Sequence, residues 1–101
     1  MTITSTANAD GGKLTIKVQG RFDFSVHQEF RDAYESSSDD PSGYVVDMAD
    51  ATYLDSSALG MLLLLRDHAG GASSEIEIIN CNPDVKKILV ISNFEQLFNI
   101  K

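Results

Sequence analysis

Stretches of period two alternate with stretches of helical period along this chain, and that succession leaves few folds open. Residues 13–20, KLTIKVQG, put Leu14, Ile16 and Val18 on one side and Thr15, Lys17 and Gln19 on the other, the pattern of a half-buried strand. Asp10-Gly11-Gly12 is a turn signal, so residues 2–6 are expected to pair with this strand as a hairpin. Ser25 and Gln28 stand at capping-box spacing, and Val26, Phe30, Ala33 and Tyr34 fall on one stripe, which predicts a helix over 26–36. The polar run from Ser36 to Gly43 breaks it, and Tyr44 to Met48 reads as a short apolar strand. A second helix is expected over 57–69, ended by Gly70-Gly71. Glu75 to Asn80 alternates again, with Ile76 and Ile78 inward. Asn82-Pro83-Asp84 then supplies a cap, a proline at the first helical position and an acid in the first turn. Val85, Ile88 and Leu89 give this third helix its buried side, and Phe94, Leu97, Phe98 and Ile100 are expected to pack back on the sheet.

Strands separated in this way by helices pair in parallel through right-handed crossovers, so the class is α/β. With 101 residues and no internal repeat, low-complexity tract or linker, the expectation is one domain over 1–101. Hydrophobic residues make up 43% and charged residues 23%, ordinary for a soluble globular protein. The net charge of -7 argues against nucleic acid or anionic lipid as a partner, since both require a basic face. Cys81 is the only cysteine and cannot close an internal disulfide, which fits a reducing compartment. The segment MTITSTANADGG lacks the basic-then-apolar pattern of a secretory signal. The longest apolar run, Met61 to Leu65, falls far short of the roughly 20 residues that span a bilayer. A cytoplasmic location, with no membrane association, is the expectation.

The leucines from Met61 to Leu65 are expected to form a core helix that touches the sheet on one side and other covered surface elsewhere. Three polar residues, Asp55, Ser56 and Ser57, precede them directly. A helix N-terminus needs one side-chain oxygen as its cap, worth about 1 kcal/mol. Three in succession leave at least one side chain for solvent. Plain capping is one reading; a functional role for the spare hydroxyl is the other. Reversible phosphorylation fits the place, because it adds roughly -1.5 to -2 charge at pH 7. A helix N-terminus tolerates that charge. Asp55 would keep the phosphate turned outward, and a docking partner would meet a dianion where a hydroxyl had been.

Other chemistry is sparse. His27 and His68 are expected on different helices facing solvent, and Cys81 as a buried small hydrophobe. No zinc site is expected from a single Cys and unclustered His and Asp. Ser56 lacks the Gly-x-Ser-x-Gly elbow of a serine hydrolase, and no phosphate-binding glycine loop is present. No catalytic residue, cofactor or metal is therefore expected, and the protein is read as a non-enzyme.

Four features occur in order: Gly20-Arg21-Phe22-Asp23 before a helix; the strand Tyr44-Val45-Val46-Asp47-Met48; the junction Tyr53-Leu54-Asp55-Ser56-Ser57-Ala58-Leu59-Gly60; and Asn82-Pro83 opening a late helix. Together they resemble the STAS domain, specifically the stand-alone bacterial anti-sigma factor antagonist, over essentially the whole chain. The fold this implies is a STAS-like, mixed but mostly parallel sheet of four to five strands covered by about three to four helices. The resemblance also implies a partner-switching circuit. The unphosphorylated antagonist captures an anti-sigma factor, often itself a serine kinase, and so frees a sigma factor. The kinase phosphorylates the serine after the aspartate, and a PP2C-type serine phosphatase reverses it. Carried onto this sequence, the phosphoacceptor is Ser56. Asp23, Asp55, Ser57 and Ala58 are the partner-binding positions, and the free protein is a monomer.

Two positions depart from the family pattern. Ala58 replaces the usual glycine, which bears on close partner approach, and Arg21 replaces the common acid, reversing a charge near the docking face. The alternatives are a module binding a nucleotide or lipid near Asp23 and Asp55, a scaffold subunit of a larger regulatory assembly and, last, an enzyme.

Overall fold

Leu14, Ile16 and Val18 alternate inward along a ten-residue strand, β2 (Lys13–Phe22). It pairs antiparallel with β1 (Ile3–Ala7) as the hairpin expected, in register Ile3 to Val18. The structure, a computed structural model, describes residues 3–7, 12–35, 43–71 and 74–101. The hairpin's Asp10-Gly11 and the polar run from Ser36 lie outside the described residues. After β2 come α1 (His27–Glu35), β3 (Gly43–Leu54), α2 (Ser56–His68), β4 (Ile76–Ile79), α3 (Pro83–Ile91) and β5 (Asn99–Ile100).

The sheet order is β1-β2-β3-β4-β5, with every pair after the hairpin parallel. Each new parallel strand is added on the same side of the last, so right-handed crossovers carry α1, α2 and α3 over one face. That face holds Leu14, Ile16, Val18, Tyr44, Val46, Met48, Ile76 and Ile78, all buried. The opposite face carries Lys13, Thr15, Lys17, Val45, Asp47 and Glu77, all partly exposed. There Glu77 sits between Lys101 at 3.1 Å and Lys13 at 3.2 Å. Their hydrogen bonds, Lys101 first, hold its carboxyl below the usual range.

The sequence places the end of the third strand too early. β3 runs to Leu54, six residues beyond Met48, because its alternation changes step without ending. Its buried residues fall at Tyr44, Val46 and Met48, then at Ala51 and Leu54. Each spacing of three coincides with a register shift against β2: Lys17 and Gln19 face Asp47 and Asp50, while Gly20 and Arg21 face Ala51 and Tyr53. Two bulges thus place an extra β3 residue each and return the buried side to the core. Gly20, at φ 78°, accommodates the distortion from the β2 side in a backbone conformation that favours glycine. The Ala51 carbonyl between the bulges accepts the Asn82 side-chain amide at 3.0 Å. Asn82 also caps α3 by accepting from the Val85 N–H at 2.9 Å.

The first helix also begins differently. Asp23, not Ser25, is its cap: the carboxylate accepts from the Ser25 N–H at 3.0 Å and from the Ser25 hydroxyl, starting a 3₁₀ turn over Phe24–Val26 that runs into α1. Gln28 makes no capping box and donates to Asp32 at 2.9 Å. The expected stripe holds, with Val26, Phe30 and Tyr34 buried and Ala33 partly so. Phe30 packs between Phe22 and Tyr34, ring centroids 5.0 and 5.8 Å away.

α2 buries Ala58, Met61, Leu62 and Leu65, but Leu63 and Leu64 remain 42% and 60% exposed. The apolar run is therefore covered where it faces the sheet and α1 and left open at Leu63 and Leu64; five successive apolar residues necessarily wrap past the width of one buried stripe. His68 is exposed yet lies against Tyr34, at 4.9 Å, while His27 is partly buried. Cys81 is partly buried and packs at the core's edge, where burial pushes its thiol pKa up. The C-terminal segment packs back through Phe94 and Phe98, leaving Leu97 at the surface. Among the described residues, no helix is long and apolar enough to cross a membrane.

Candidate functional site

β2 and β3 end side by side, Phe22 level with Leu54, and each strand is followed at once by an aspartate. Both aspartates act as N-caps: Asp23 for the 3₁₀ turn before α1 and Asp55 for α2. The Asp55 N–H points at the Phe22 carbonyl, 3.4 Å away, which ties the two junctions together. They form one surface at the carboxyl ends of parallel strands, where open α/β sheets place their binding sites.

Each polar residue of the α2 junction has a distinct position. Asp55, with extended backbone (φ -114°, ψ -176°), accepts from the Ala58 N–H at 3.0 Å. Ser57, partly buried, donates its hydroxyl to the same carboxylate oxygen at 2.6 Å. Those bonds, the Ser57 hydroxyl foremost, hold the Asp55 carboxyl below its ordinary range, against an opposing push from the Asp23 charge. Ser56, the first residue of the helix, is exposed. Ala58 is fully buried. Its methyl group therefore fills core, so the departure from glycine adds packing at this position.

Around the Asp23 junction, the carboxylate also accepts from Arg21 Nε at 3.2 Å. Its pKa lies below the ordinary value, chiefly because the Ser25 hydroxyl donates to it. The Arg21 guanidinium lies 4.5 Å from the centre of the Tyr53 ring, its neighbour across the β2–β3 pairing. Next to Asp23, Phe24 is 64% exposed. Phe24 stands outside the motifs legible in the sequence, and Tyr53 enters them only as the first residue of the α2 junction. The signal for Phe24 was Asp23 itself: a cap directly after the strand turns the next side chain away from the core.

Among the described residues, two shallow clefts lie elsewhere. One, of about 290 Å³, runs between α1 and α2 beside Tyr34, Leu64 and His68; the other, of about 310 Å³, lies beside β5. Neither is lined by Asp23 or Asp55.

The family model described as "Mlab, STAS domain" matches residues 5–99. This chain belongs to the STAS domain family. The domain is 66% identical over 100 residues to a STAS-domain containing protein of Pseudomonas aeruginosa strain UCBPP-PA14, covering 99% of each. Its fold is that of the anti-sigma factor antagonist SpoIIAA in its unphosphorylated form, with a TM-score of 0.80 at 14% identity. That match covers 98% of this chain and 87% of SpoIIAA. RsbS of Moorella thermoacetica matches with a TM-score of 0.77 at 14% identity, over 100% of this chain and 86% of that one. The STAS fold expected from the four sequence features is thus the fold observed, as a five-stranded mixed sheet with three α-helices among the described residues.

Proposed function

We propose that this STAS domain is a phosphorylation-controlled protein-binding switch acting as an anti-sigma factor antagonist. One observation carries the reading. Asp55 supplies the α2 cap and Ser57 braces it, so among the described residues the exposed Ser56 hydroxyl has no hydrogen bond to lose. The name of SpoIIAA, which shares the fold and has an unphosphorylated form, supports the same reading.

The unphosphorylated domain captures an anti-sigma factor of the serine-kinase type and so frees a sigma factor. The kinase transfers the γ-phosphoryl group of ATP to Ser56 Oγ; the hydroxyl proton leaves and ADP departs. The phosphate adds roughly -1.5 to -2 charge beside Asp55 and Asp23. The helix N-terminus accommodates it, while like charges turn it toward the partner. Capture is then lost without unfolding, and a PP2C-type phosphatase restores it by hydrolysis. Asp23, Asp55 and Ser57 border the contact. The domain supplies no catalytic group of its own and works in the cytoplasm as a monomer when free.

The test uses the purified domain, ATP and the serine-kinase-type anti-sigma factors of the same genome. Mass spectrometry should place one phosphate on Ser56. Ser56→Ala should stay unmodified and bind constitutively, and Ser56→Asp should not bind. Stoichiometric phosphorylation of Ser56→Ala would remove Ser56 from the mechanism.

A further inference from the structure

Four of the chain's five phenylalanines, Phe22, Phe30, Phe94 and Phe98, are at most 6% exposed, whereas Phe24 is 64% exposed. An isolated exposed apolar side chain is unremarkable. Phe24 differs in being held. Its ring stacks on His27 with centroids 4.2 Å apart and planes 9° from parallel. His27 Nδ1 lies 2.9 Å from the Phe24 carbonyl, which can only accept, so Nδ1 carries the proton. Phe24 opens the short turn capped by Asp23 and His27 follows it as the first residue of α1; the Asp23 carboxylate senses that of Asp55. Beside it Arg21, paired to Asp23 and set over Tyr53, adds an exposed cation, while Tyr53 is 43% exposed.

We propose that Phe24, positioned by His27, is the apolar anchor for the protein that reads Ser56. It inserts into an apolar pocket on that partner, and Arg21 meets a carboxylate at the pocket's rim. This rests on the reading of Ser56 as a binding switch and adds which residues hold the partner. Three physical reasons favour a protein pocket as the occupant. Aromatic and arginine side chains dominate the energetic centres of protein interfaces. A ring already stacked in place loses little further freedom on binding. The polar Asp23–Arg21 pair beside it gives an apolar centre with a charged margin.

The experiment is calorimetry with the unphosphorylated domain and the serine-kinase-type anti-sigma factor that modifies Ser56. Phe24→Ala should weaken binding about tenfold or more. Its thermal midpoint should stay near that of the parent, since the ring is exposed. His27→Ala should weaken binding less, and adding it to Phe24→Ala should change nothing further. His27→Phe, which keeps a stacking ring, should restore affinity. Arg21→Gln should reduce affinity and flatten its salt dependence. Phe24→Ala binding as the parent does, while phosphorylation of Ser56 still abolishes binding, would overturn this inference and leave the switch standing. A parent domain that does not bind at all would overturn both.

Discussion

Asp55 is the residue on which the junction's geometry depends, and its charge is part of that role. The Ser57 hydroxyl and the Ala58 N–H both donate to one oxygen, so the anion is favoured and the pKa lowered. A carboxyl that is more acidic folded than unfolded contributes stability above its unfolded pKa, about 4, and loses it as pH falls through the folded value. Asp55→Ala should lower stability by about 1 kcal/mol at neutral pH. In a domain of this size that is a fall of roughly 4–8 °C in melting temperature. Asn can still accept from the Ala58 N–H, so Asp55→Asn should cost less. Its deficit should also shrink as pH falls through the lowered pKa of the folded carboxyl, where the parent loses the anion. Melting curves at neutral pH and at successive steps down through the acid range read both effects. A deficit for Asp55→Asn that grows on acidification would mean the carboxylate is not what the junction uses.

In α2, burial and exposure alternate within a few successive leucines. Leu62 is fully buried while Leu64, two residues on, is 60% exposed. Leu62→Ala should cost about 2–5 kcal/mol in denaturant unfolding. Leu64→Ala should fall within about 0.5 kcal/mol of the parent. The α3 cap offers a second contrast. Asn82→Asp keeps an acceptor for the Val85 N–H but no donor for the Ala51 carbonyl. It should therefore lose part of what Asn82→Ala loses, and the remainder measures the tie between α3 and the bulged strand. These elements also mark what the sequence made legible. Strict alternation in β2, Asn82-Pro83 at α3 and the order of elements were all readable, because each depends on neighbours in the chain. The continuation of β3 to Leu54 was not, because bulges are set by pairing with β2 and erase the two-residue period. The site divided in the same way. A surplus of caps at residues 55–57 was visible; that Ala58 faces the core and Phe24 faces out was not, since both depend on where β3 ends and α1 begins.

All three helices cover one face of the sheet, and the two capped junctions meet at the carboxyl ends of its central strands. A charge placed at Ser56 is therefore added at the surface and not to the buried core cluster that holds the layers together. The phosphorylated domain should keep its circular dichroism and a melting temperature within a few degrees of the unmodified one, while its surface chemistry changes sharply. The decisive measurement is the affinity of the serine-kinase-type anti-sigma factor for two forms of the domain, one with a free Ser56 and one carrying phosphoserine there. Affinity should fall on the order of 100-fold in the phosphoserine form, as for a buried contact given an unpaired charge. Equal affinity for the two correctly folded forms would contradict the switch.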